Sequence, residues 1–172
     1  AGITFIGVYP SQRVAPDVRP YSAATKTNWT STFAGNAITL TAADTTFIGI
    51  NFIPLTARAV LNGTTCPRTQ FLDCSVTMSA AASTSTKGFV FSGGSSSFCN
   101  FQNCYFLDSV ATSAQGPCMD LTALDNFVVE NCTIVCTGTS SAWAVGVQLG
   151  AGSSGIFRNN HIAALGAGTI TI

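Results

Sequence analysis

The chain has 172 residues; 47 per cent are apolar, only 8 per cent are charged, and seven acids balance seven bases. That length suits one domain. A zero net charge gives no field to draw nucleic acid or anionic lipid, and no run of about eighteen apolar residues offers a membrane-spanning helix. A typical soluble domain is about 25 per cent charged, so this exterior must be largely Ser, Thr, Ala, Asn and Gly.

The first element is Thr4-Phe5-Ile6-Gly7-Val8-Tyr9, an alternating apolar segment with strand grammar. Residues 10–36 then interrupt the pattern. They hold Pro10, Pro16 and Pro20, the bases Arg13, Arg19 and Lys26, and the aromatics Tyr21 and Trp29. This reads as an extended arm: a long surface loop, or a strap onto a neighbouring subunit. Pro-rich extended chain loses little entropy on docking. Residues 1–36 are thus a strand plus an arm, and 37–172 are the body.

The body repeats. Phe47-Ile48-Gly49-Ile50-Asn51-Phe52 is followed by Phe71-Leu72-Asp73-Cys74-Ser75-Val76. Next come Phe101-Gln102-Asn103-Cys104-Tyr105-Phe106, Val129-Glu130-Asn131-Cys132-Thr133-Ile134 and Phe157-Arg158-Asn159-Asn160-His161-Ile162. The copies start 24, 30, 28 and 28 residues apart. Thr4–Tyr9 is an earlier near-copy of Thr46–Asn51. A second ladder precedes the first: Ile38-Thr39-Leu40, Ala59-Val60-Leu61, Phe89-Val90-Phe91, Met119-Asp120-Leu121 and Val147-Gln148-Leu149. No stretch has a helical period of useful length. A repeat in the twenties with two short strands per copy cannot bury its own apolar face and must stack on its neighbours.

Stacking predicts columns about 4.8 Å apart, the strand spacing. Phe47, Phe71, Phe101, Val129 and Phe157 form an inward column. Gly49, Asp73, Asn103, Asn131 and Asn159 form a corner column, where Asn tolerates left-handed backbone. Ile50, Cys74, Cys104, Cys132 and Asn160 form the next. Here the chain resembles the right-handed parallel β-helix proteins, the pectate-lyase-like superfold, over residues 37–172. The resemblance implies an all-β solenoid of about five rungs with an N-terminal arm. It also implies a choice among polysaccharide-cleaving enzymes, phage tailspikes and other phage virion proteins.

Seven cysteines do not imply a disulfide framework. Stacked side chains point in parallel, with Cβ atoms near 5 Å apart rather than the roughly 3.8 Å of a disulfide. Cys74, Cys104 and Cys132 read as small buried thiols; a pair among Cys66, Cys99, Cys118 and Cys136 stays open. No C-x-x-C exists and His161 is the single histidine, so neither a zinc site nor any other cofactor is expected.

The acids separate the enzyme from the structural reading. Glycoside hydrolysis needs two carboxylates roughly 5 to 9.5 Å apart. On the repeat, Asp120 points outward between Val90 and Gln148, and Glu130 between Gln102 and Arg158. Asp73 sits in the corner column. Asp125 is a turn residue equivalent to Ser95 and Ser153, with Asp44 at the same turn near the other end. Asp108 opens a loop and Asp17 lies in the arm. No two acids stack on adjacent copies; Glu130 over Arg158 is an ion pair. No catalytic residue is therefore expected.

The returns 77–88, 107–118 and 135–146 leave one edge, as spacers or as a partner-binding edge, with Trp143 as a platform for a sugar. Trp143, Trp29, Tyr21, Arg13 and Arg19 are the candidate binding residues. Thr169-Ile170-Thr171-Ile172 reads as a further strand whose edge needs a cap. The charge-poor exterior, the arm and that edge together ask for partners. The expected function is that of a non-enzymatic virion component of a tailed bacteriophage, a homotrimeric capsid-decorating or spike protein contacting the shell, and in the spike case a surface glycan. The alternatives are a polysaccharide lyase or hydrolase with an inter-subunit site, and a bacterial surface adhesin or glycan-binding module.

Overall fold

The computed structural model describes residues 2–7, 27–31, 38–54, 59–78, 87–91, 96–108, 119–136 and 147–164. The described residues contain nineteen strands and no helix. Numbered in chain order, the first sheet holds β1 (Ile3–Ile6), β4 (Thr45–Ile48), β7 (Gln70–Leu72), β11 (Asn100–Gln102), β15 (Phe127–Glu130) and β18 (Gly155–Arg158). The second holds β2 (Thr27–Ser31), β5 (Ile50–Pro54), β8 (Ser75–Met78), β12 (Tyr105–Asp108), β16 (Thr133–Cys136) and β19 (His161–Ala164). The third holds β3 (Ile38–Leu40), β6 (Ala59–Gly63), β9 (Lys87–Phe91), β13 (Met119–Asp120) and β17 (Val147–Gln148), and a short pair joins β10 (Ser96–Ser97) to β14 (Leu124–Asp125).

Every pairing is parallel. The chain visits the first, second and third sheets in turn and returns to the first. The register follows the repeat. Phe5 pairs with Phe47, Phe47 with Phe71, Phe71 with Phe101, Phe101 with Val129, and Val129 with Phe157. The segment Ile3–Ile6, which opens the near-copy, is thereby a sixth strand of the first sheet.

The inward column is a stack of rings. Phe5, Phe47, Phe71 and Phe101 lie face to face, each 5.1 Å from the next, tilted by only 11°, 5° and 3°. Phe52, Phe89 and Phe106 close on one another edge-on at 5.6 and 5.5 Å. Stacked and edge-to-face contacts both satisfy the ring quadrupole. Phe47, Phe71, Phe89, Phe101 and Phe106 are all buried. This aromatic column is what a low-charge chain uses to hold successive passes in register.

Two sequence expectations need amendment. Of residues 10–36, read as an arm, the structure describes Thr27–Ser31, and this segment is a strand: β2 pairs with β5, Trp29 opposite Phe52. The pairing escapes the sequence because the segment carries no copy of the repeated motif. Asp125 is in register with Ser97, not Ser95; on the following pass the 28-residue register of β15 and β18 aligns it with Ser153 as expected, and its carboxylate accepts from the adjacent Ser154. The Ser-rich stretch around residue 95 offers no side-chain marker of register; the backbone corner after it sets the alignment instead.

Candidate functional surfaces

Two corners flank the first sheet and between them place Asp44, Arg68, Asp73, Phe98 and Asn126. The corner after the sheet is the predicted one. Gly49, Asp73, Asn103, Asn131 and Asn159 all have positive φ, from 53° to 64°. Each of the first four donates its N–H to the next pass: Gly49 to Leu72, Asp73 to Gln102, Asn103 to Glu130 and Asn131 to Arg158, at 2.9 to 3.2 Å. Left-handed backbone is cheap for Gly and tolerable for Asn and Asp, which is why this column reads so clearly.

The thiols beside it are structural. Cys74, Cys104 and Cys132 are buried and in no disulfide, as are Cys66 and Cys99. Cys74 donates its S–H to the carbonyl of Phe47, Cys104 to Phe71 and Cys132 to Phe101, at 3.4 to 3.5 Å. Asn160 ends the series, donating Nδ2–H to the Val129 carbonyl at 2.8 Å. Each member thus satisfies a carbonyl of the inward column one pass earlier. Burial pushes the Cys104 thiol well up, and the Cys66 thiol together with burial does the same for Cys99. The Cys99 and Cys104 sulfurs stay protonated and are poor nucleophiles, while the hydrogen bond with Cys104 shifts the Cys132 thiol downward. Among the described residues, no group of three or more His, Cys, Asp or Glu side chains could hold a metal ion.

The carboxylates are bound into the scaffold. Arg158 donates to Glu130 at 2.8 Å, as its register predicts, and Gln102 adds a contact at 3.4 Å. The carboxylate raises the Arg158 pKa by accepting its hydrogen bond. Asp120 lies between Val90 and Gln148 as expected. It is not exposed, however: only 6 per cent of its surface is accessible. It accepts from Thr122 N–H at 3.2 Å and Oγ1–H at 2.8 Å. Asp73 is buried in the corner column.

The corner before the sheet was not anticipated. Asp44, Arg68, Phe98 and Asn126 have φ of 57°, 59°, 58° and 52°. They recur 24, 30 and 28 residues apart, each five residues ahead of a member of the first corner. The N–H donations repeat too: Asp44 to Pro67, Arg68 to Ser97 and Phe98 to Asp125, at 2.8 to 3.1 Å. The side chains share no chemistry, so spacing was the only available signal. Arg68 grips Asp44 with both Nε (2.6 Å) and Nη2 (2.8 Å). That hydrogen bond holds the Asp44 carboxyl below its usual range and raises the guanidinium of Arg68. One pass beyond Phe98, Asn126 Nδ2 donates to Asp125 Oδ2 at 2.9 Å, and the Ser154 hydroxyl donates to Asp125 Oδ1.

Of the candidate binding residues, Trp29 alone is described. It stacks on Phe52 at 5.9 Å and lies 6.1 Å from Phe5, with 37 per cent of its surface accessible. Trp143, Tyr21, Arg13 and Arg19 lie outside the described residues, as do Cys118, the segment Thr169–Ile172 and most of the three return loops. His161 is exposed on β19, in register with Thr133. Comparison with known proteins finds no matching family profile, no matching curated protein and no matching solved structure.

Proposed function

We propose that this chain is a right-handed parallel β-helix of about five rungs and a non-enzymatic structural component of a tailed-phage virion, a trimeric decoration or spike protein seated on a larger shell. The β-helix reading is supported by the cyclic visiting of three parallel sheets at the repeat spacing. The phage assignment rests on resemblance: within the pectate-lyase-like superfold, short, charge-poor and catalytically bare chains are most like virion proteins.

The observation that carries the non-enzymatic reading is the use made of the carboxylates. Asp44 and Glu130 are neutralised by Arg68 and Arg158, and Asp120 and Asp125 are held by neighbouring hydroxyls and amides. Four of the seven acids therefore serve the scaffold. A catalytic pair needs carboxylates able to exchange protons with a substrate. Trimer formation is supported by the 8 per cent charged composition, since uncharged outer faces can pack against sister copies with little desolvation penalty.

The test combines the native mass of the purified chain, its presence in purified particles, and depolymerase assays on capsular and pectic polysaccharides. A trimer found in particles and inactive on all substrates is expected. A monomer missing from particles defeats the assembly reading. Cleavage abolished by replacing Asp120, Asp125 or Glu130 with Ala replaces it with the shared-site lyase or hydrolase.

A further inference from the structure

Phe98 is out of place by every local rule. Its φ of 58° is a conformation that suits Gly, Asn and Asp, and a bulky residue there is a genuine outlier. Such strain persists only where the surroundings enforce it, and strained residues cluster at functional sites. Its ring is 61 per cent exposed, so core packing does not repay the strain. The other half-exposed rings differ: Phe5 and Trp29 each stack on a buried ring, Phe47 and Phe52.

The flanks of Phe98 are polar and already oriented. On one neighbouring pass, Arg68 is fixed by two bonds to Asp44, which engage Nε and Nη2 and leave the Nη1 donors over. On the other, the Asp125 carboxylate is held by Asn126 and Ser154. Strand spacing puts Arg68, Phe98 and Asn126 about 4.8 Å apart along one line, with Asp125 one residue before Asn126 and in register with Ser97. Groups held in place before binding lose little entropy on it.

The charge pattern limits the ligand. Arg68 is already neutralised by Asp44, and Asp125 opposes an anion. A cation would have to win Asp125 away from its hydroxyl and amide donors. What fits is an uncharged molecule with an apolar face for the ring and hydroxyls around its edge. We infer that Phe98, with Arg68, Asp125 and Asn126, is a binding site for a neutral saccharide, one pyranose face lying on the Phe98 ring. An extended glycan would run along the corner, crossing successive strands. The site stands on the corner alone, whether or not the chain is carried on a particle.

The experiment is calorimetric titration and amide-shift mapping of the intact chain. The probes are neutral gluco-, galacto-, manno- and N-acetylglucosamine oligosaccharides, with oligogalacturonate as the charged counterpart. At least one neutral oligosaccharide should bind and shift the amides of Arg68, Phe98 and Asn126, and oligogalacturonate should bind more weakly. Phe98→Asn should lower affinity by about tenfold, the loss of one stacking contact, while raising the unfolding temperature. Phe98→Trp should keep binding and shows that loss in Phe98→Asn is not misfolding. The site is refuted if no neutral member of the panel binds at its solubility limit, or if Phe98→Asn binds as well as wild type. A Phe98→Asn chain that changes oligomeric state instead identifies the corner as a contact between copies and equally overturns the saccharide site.

Discussion

The corner after the first sheet and the corner before it hold the same backbone. φ runs from 53° to 64° at Gly49, Asp73, Asn103, Asn131 and Asn159, and from 52° to 59° at Asp44, Arg68, Phe98 and Asn126. Both pass an N–H to the following pass of the chain at the same relative position. They differ in which residues bear the strain. The first corner uses the residue types that tolerate left-handed backbone. The second forces Arg68 and Phe98 into it while presenting both to solvent. Stacking therefore imposes the geometry. Residue choice relieves the cost at one corner and leaves part of it standing at the other, where exposed side chains can meet a partner.

The comparison can be broken at several levels. The largest effect is expected in the ring column that both corners clamp. Phe101→Ala should cost about 3 to 5 kcal/mol in urea unfolding, as a buried aromatic truncation; a loss under half of that means the stack does not hold the corners. Asn103→Val probes the first corner directly. A β-branched residue in left-handed backbone should cost about 1 to 3 kcal/mol, and an unchanged midpoint would show that Asn is not needed there. Cys104→Ala tests the thiol ladder. Losing the S–H donor to Phe71 and its small volume should cost about 1 to 2 kcal/mol, with no dependence on reducing agent; a reductant effect would contradict the thiol assignment.

The smallest effect belongs to the exposed Asp44–Arg68 pair. The folded-state pKa of Asp44 is depressed by Arg68. Its stabilising contribution is therefore complete above the ordinary carboxylate range and fades as pH falls through the lowered folded value. Asp44→Asn should remove that part of the acid limb of the stability profile and leave the neutral value almost unchanged, since exposed pairs are weak and screened by salt. A large loss at neutral pH would mean the second corner is held by its ion pair rather than by the stack.

What could be read from the chain follows from the same physics. The inward column and the first corner were legible because stacking demands one chemistry at each: rings or Val at Phe71, Phe101 and Val129, and left-handed-tolerant residues at Asp73 and Asn103. The reduced state of Cys74, Cys104 and Cys132 followed from parallel side chains. The second corner was illegible because the backbone hydrogen bonds that impose it act on any residue type, and Arg68 and Phe98 are not types that mark left-handed backbone. For the same reason the Asp44–Arg68 pair went unseen and Asp125 was aligned two residues away from its true neighbour. β2 was missed because Trp29 joins the second sheet without a copy of the motif around it. The burial of Asp120 was missed because alternation along β13 assigns it to the outer side and says nothing of what covers that side.

The central claim is that one backbone corner is spent on stability and the other carries an exposed residue at a cost to it. Thermal and urea unfolding of Phe98→Asn and Asn103→Phe, measured side by side, tests it most directly. Phe98→Asn should raise stability by about 1 kcal/mol and Asn103→Phe should lower it by a similar or larger amount, the usual cost of left-handed backbone in a bulky residue. If Phe98→Asn destabilises the chain, or if both substitutions move stability in the same direction, Phe98 is a structural residue and the division between the two corners does not exist.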